Sequence, residues 1–177
     1  MIKHNRLILL ILVIVVGFAV WQSYQLSMKH KAEKLHIAHT AQRTTNFLHT
    51  VQQSIESINN KNEWDNIRTR DFLRVWLSYT NESIINTNST LGDFQSLVSF
   101  KSRQNMNDIS FQYSEWWTKV ANILDKSSPL TTEDKTHITK LSKIVSKVDG
   151  IYPHDINDWE GIWVAFSRLN EEWKKHD

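Results

Sequence analysis

Leu7 to Val20 reads LILLILVIVVGFAV, a run with no polar side chain, and its reading decides how the remaining chain is understood. As a helix rising about 1.5 Å per residue it is roughly 21 Å long, shorter than the ~30 Å hydrocarbon core of a bilayer. Its flanks extend it. Arg6 precedes it and can snorkel toward one interface, while Trp21 and Tyr24 follow it and suit the aromatic belt at the other. A soluble core helix is a poor alternative, because the run is apolar on every side rather than along one stripe.

Two processing fates fit this segment. Gly17 and Ala19 form a small-x-small pair of the kind that signal peptidase accepts. Against cleavage, bulky Val20 and Trp21 would follow the cut, and helical patterning continues past the run without a break. An uncleaved signal-anchor is therefore the favoured reading. Lys3 and Arg6 lie before the segment and Lys29, Lys31 and Lys34 after it, so the count of flanking cations does not fix orientation. A short N-terminal tail ahead of a long domain is the usual shape of a single-pass anchor with its domain outside. The expectation is an extracytoplasmic domain at a cell membrane.

Moving outward, no Gly or Pro interrupts Gln22 to Asn59, and Met28, Leu35, Ala38, Leu48, Val51, Ile55 and Ile58 recur at helical spacing. The juxtamembrane half is thinly apolar and reads as a stalk; the half from Phe47 reads as a packed helix, ended by Asn59-Asn60-Lys61-Asn62. A second helix is expected from near Asn62, with Asp65 in its first turn and Ile67, Phe72, Leu73, Trp76, Leu77, Ile84 and Ile85 as its apolar stripe. Asn86 to Thr90 should fray or stop it. The stretch from Asp93 to Leu124 reads as one long helix or as two. Leu130 to Asp134 reads as a helix start, with a Thr cap and acidic first-turn residues. Ile138, Leu141, Ile144, Val145 and Val148 follow, and Gly150 occupies a C-cap position. After Pro153 a last helix begins near Asp155 or Asn157 and carries Trp159, Ile162, Trp163, Phe166, Leu169 and Trp173.

With Gly 4 and Pro 2 in 177 residues, turn-rich β architectures are disfavoured. The expected fold is all-α: a short tail over 1–6, a transmembrane signal-anchor over 7–24, a helical stalk over 25–46, and an antiparallel bundle of four to six helices over 47–177.

Net charge is +2, and Lys3 and Arg6 account for it; the other 19 Lys and Arg balance 19 Asp and Glu. A neutral domain without a basic stripe argues against nucleic acid as partner. Cys 0 removes disulfides, thiolate metal sites and a Cys nucleophile together. No GxSxG, SxxK, P-loop, GxGxxG or HExxH pattern occurs, so no catalytic residue, cofactor or metal ligand is assigned. Glu33, His36 and His39 stand at i, i+3, i+6, which puts the outer pair about 240° apart around a helix and makes poor ligand geometry. His154 to Gly161 resembles a calcium loop only until its fifth position from Asp155, where Trp159 replaces an oxygen ligand. Asp71 and Glu115 lie near apolar stripes, where an ion pair with Arg68, Arg70 or Lys119 is the commoner fate of a carboxylate and burial in a site the rarer one.

Tryptophan is the informative residue, with 8 in the chain. Trp116 and Trp117 are neighbours, about 100° apart on a helix, so one of them should sit at the edge of the buried stripe, either packed against a neighbouring helix or available to a partner. The expected function is a non-enzymatic interaction or accessory module of the cell envelope, with a protein partner. A small-molecule-sensing bundle acting through a partner protein, and an envelope enzyme with a fold-assembled carboxylate site, are the alternatives.

Overall fold

A computed structural model describes residues 2–148 and 159–176, and every regular element among them is a helix. In chain order these are α1 (Ile2–Lys61), α2 (Ile67–Asp93), α3 (Phe100–Leu124), α4 (Thr132–Ser146) and α5 (Trp159–His176). The side chain of Arg6, together with Gly150, Pro153 and residues 154–158, lies outside the described residues.

The chain divides into two compact units, Met1–His36 and Ile37–Asp177. In the first, α1 is long and apolar enough to cross a membrane by length and composition. Ile11 to Lys31 are all exposed. Trp21 and Tyr24 are exposed, and the Trp21 ring lies 5.9 Å from that of Phe18.

In the second unit, packing begins at Ile37, ten residues before the Phe47 at which the apolar pattern places the bundle. The reason is polar. Ala38 and Ala41 are small, and Thr44 and Thr45 are fully buried, so the stretch reads as solvated while its hydroxyls are satisfied inside. Thr44 Oγ1 lies 2.8 Å from both Ser83 Oγ and Thr87 Oγ1 and 2.9 Å from the Ser83 carbonyl, and Thr87 Oγ1 donates to the Thr40 carbonyl at 3.2 Å. Small residues and mutually bonded hydroxyls bring the two helices together without leaving a buried polar group unpaired.

Those bonds also fix direction. Thr40, Thr44 and Phe47 of α1 meet Thr87, Ser83 and Tyr79 of α2, so this pair is antiparallel. Along α2 and α3, Arg74 pairs with Asp125, Asn81 accepts from Ser114 and Asn88 donates to Asn107, again antiparallel. Lys126–Asp134 and Trp116–His137 set α4 antiparallel to α3, while Asn105–Asn170 and Asp108–Lys174 set α5 parallel to α3.

Several boundaries follow local chemistry more closely than apolar spacing does. Asn66 caps α2, its side chain accepting from the Arg68 amide, so the helix starts after Asp65 rather than around it. Asp65 instead accepts from the Leu130 amide at 3.1 Å. The Asn86–Thr90 run does not end α2, because Thr87 faces the core and bonds to α1. Residues 94–99, expected as the start of the third stretch, are not helical and separate α2 from α3; Ser99 caps α3, so the stretch holds one helix that starts only at Phe100. Thr131 and Asp134 form a full capping box on α4, as the Leu130–Asp134 sequence implies. Asp134 is buried beside Lys126, and the Lys126 ammonium at 2.7 Å, with the Thr131 contacts, holds its carboxyl below the ordinary carboxylate range against the opposing effect of burial.

Candidate interaction face

Of the aromatic pair singled out by sequence, Trp116 is buried and Trp117 lies at the edge of the core. Trp116 is 4% exposed; its Nε1 donates to the His137 carbonyl at 3.0 Å, and its ring meets Tyr113 at 5.4 Å and Trp173 at 6.3 Å. Tyr113 is buried beside it and donates to the Leu77 carbonyl at 3.2 Å; burial pushes its phenol well above the usual range. Trp117 is half-buried against the same core. Trp116 therefore welds α3 to α4 and α5 and is not on offer to a partner.

A different aromatic group lies at the surface. On α2 the buried positions Leu73, Leu77, Thr80, Ile84, Thr87 and Leu91 recur every three or four residues and face the core. A second series with the same spacing, Arg68, Phe72, Val75, Tyr79 and Glu82, lies on the solvent side. Phe72 is 55% exposed, Val75 48% and Tyr79 51%, unlike the core positions beside them. Residues 72 and 73 are consecutive and so point about 100° apart, which separates the two stripes. The apolar set read from sequence thus splits: Leu73, Leu77 and Ile84 are core, whereas Ile67, Phe72 and Ile85 are exposed and Trp76 bridges the two.

The rings form one connected cluster. Trp76 lies 6.0 Å from Phe72 and 6.3 Å from Tyr79 in edge contacts, and Phe47 of α1 lies 6.0 Å from Trp76 and 6.3 Å from Tyr79, nearly stacked on the latter. The Arg43 guanidinium sits 5.4 Å over the Phe47 ring. Beyond Phe72 an open groove of about 430 Å³ runs between the helices, lined by hydroxyl and amide side chains with Glu63 and Arg68. The group is preorganised, because each ring is held by another ring. It joins a large apolar area to adjacent donors and acceptors, which is the composition of a binding hot spot.

The other sites considered from sequence are simpler. His30, His36 and His39 are exposed along α1, and His49 is half-buried within hydrogen-bond distance of Gln53. Among the described residues no group of three or more His, Asp or Glu is placed to hold a metal ion. Asp71 is exposed, and Glu115 is exposed and paired with Lys119 at 3.7 Å. His137 is half-buried, and its Nε2 has no hydrogen-bond partner among the described residues. Burial, then Lys119 and Lys140, push its pKa below the ordinary value.

The chain was compared with protein-family models, curated proteins and solved structures, and nothing in any of the three matches it.

Proposed function

We propose that this chain is a membrane-anchored interaction module. Residues 7–24 hold it at the bilayer as a signal-anchor, and the unit Ile37–Asp177, on the extracytoplasmic side, docks a protein partner through Phe47, Phe72, Val75, Trp76 and Tyr79. One observation carries the docking: a connected cluster of four aromatic rings, with Phe72 and Tyr79 about half exposed, lies partly open to solvent on the bundle. Burying such rings is strongly favourable, and contiguous exposed apolar area on a folded unit marks an interaction site. The anchor rests on the uninterrupted apolar run, the exposure of its residues 11–20 along α1, and the interfacial residues Trp21 and Tyr24 that follow it.

The test is crosslinking in native membranes, comparing wild type with Phe72→Ala/Tyr79→Ala. Both side chains are exposed, so the variant keeps its fold, which circular dichroism checks. A specific neighbour lost in the variant supports the docking face; the same neighbours in both, or none in either, refutes it.

A further inference from the structure

The groove beyond Phe72 has a chemistry distinct from that of the aromatic cluster. On α1 it is lined by Thr50, Ser54 and Ser57, which recur every three or four residues and so share one side of the helix. Leu48, Val51 and Ile55 occupy a different arc of α1 and are buried in the core. The groove-side residues are short, which leaves about 430 Å³ unfilled, within the ~300–1,000 Å³ range of small-molecule sites. Its bonding capacity is largely uncommitted. Thr50 and Ser54 donate to the α1 carbonyls of Asn46 and Thr50, at 3.0 and 2.7 Å, and keep oxygen lone pairs to offer. The Ser57 and Thr69 hydroxyls, the Glu63 carboxylate and the Arg68 guanidinium make no side-chain hydrogen bond or ion pair among the described residues. Phe72, 55% exposed, borders them with an aromatic ring.

We infer that this groove binds a neutral saccharide. Charge makes the first selection: one carboxylate and one guanidinium leave the lining without net charge, so it favours neither an anion nor a cation. Hydrogen bonding makes the second. Donors and acceptors are both present and both free, which suits a ligand whose every hydroxyl donates one bond and accepts others. A wholly apolar ligand would strand them. The exposed ring makes the third. A pyranose carries C–H groups on its faces and hydroxyls around its edge, so one face can lie on Phe72 while the edge bonds to Glu63 and Arg68. The inference goes beyond the docking proposed above and shares only Phe72 with it. Tyr79 belongs to the docking face alone, and Glu63 and Arg68 belong to the groove.

Saturation-transfer NMR on the full chain, held in a detergent without a sugar headgroup, tests this. The probes are neutral tetrasaccharides of glucose and of N-acetylglucosamine. At least one should bind with a Kd of about 1 mM or tighter. Phe72→Ala, and Glu63→Gln with Arg68→Gln, should each weaken it by about tenfold or more, while Tyr79→Ala leaves it within about twofold. All four side chains are exposed, and circular dichroism checks that the variants stay folded. Neither probe binding at about 10 mM overturns the inference, as does binding that survives both groove variants. A neutral tetrapeptide that binds where both saccharides fail overturns it in favour of a peptide groove. A membrane neighbour that depends on Tyr79, with neither saccharide bound, also overturns it while the docking face stands.

Discussion

Thr44, Ser83 and Thr87 share three hydroxyl protons among more acceptors than they can serve, all within 2.9 Å of Thr44 Oγ1 and out of reach of water. Thr44→Val keeps the shape but removes both the donor and the acceptor at the centre. Burying the remaining hydroxyls with a partner missing should cost about 1–3 kcal/mol, read by chemical unfolding, while Thr44→Ser should cost far less. His137 gives a second prediction at this scale. Its folded-state pKa is lowered, mainly by burial, so the unfolded chain binds the proton first as pH falls. Its contribution to stability is therefore complete at neutral pH and declines as pH drops below about 6.5, until the folded pKa is passed. His137→Gln should flatten that part of the stability–pH curve. An unchanged slope below pH 6.5 in the variant would show that the imidazole does not set it.

At the scale of the element, α2 explains both what the sequence disclosed and what it hid. Adjacent residues Phe72 and Leu73 have similar apolarity and opposite fates. Leu73→Ala should cost roughly 2–5 kcal/mol through a buried cavity. Phe72→Ala should cost under about 1 kcal/mol, as surface substitutions do, while abolishing partner capture. Equal losses of stability would contradict the two-stripe account. Helical type, the capping box at Thr131 and the Ile138–Val148 stripe were legible, because period and cap chemistry are local. The two stripes of α2 were legible in principle, since positions 72, 75 and 79 and positions 73, 77 and 80 occupy different arcs of one helical wheel. Pooling them as a single apolar set concealed the exposed one. Which of Trp116 and Trp117 faces inward, and the burial of Thr44, were not legible. Each depends on which groups another helix brings, the His137 carbonyl in one case and the hydroxyls of Ser83 and Thr87 in the other. Polar residues at helical spacing look solvated until their partners are known.

At the scale of the whole molecule, α1 is a single helix from Ile2 to Lys61 that contributes to both compact units. Its residues 11–31 are exposed, and its last part supplies Phe47 and the Thr44 hydroxyl to the bundle. Deleting residues 2–24 should move the protein from the membrane pellet to the soluble fraction, with the helical content of the remainder retained. A pellet-bound variant would mean that another surface holds it at the bilayer. The account as a whole stands on the claim that one aromatic face of an anchored bundle meets a protein. Phe111 is the natural control, being 70% exposed on α3 and outside the aromatic cluster of α1 and α2. The most direct measurement places a photo-crosslinking phenylalanine analogue at Tyr79 in one chain and at Phe111 in another, and irradiates intact membranes. The account expects a protein adduct of defined mass from position 79 and none from position 111. No adduct at 79, or the same adducts at both positions, would contradict it.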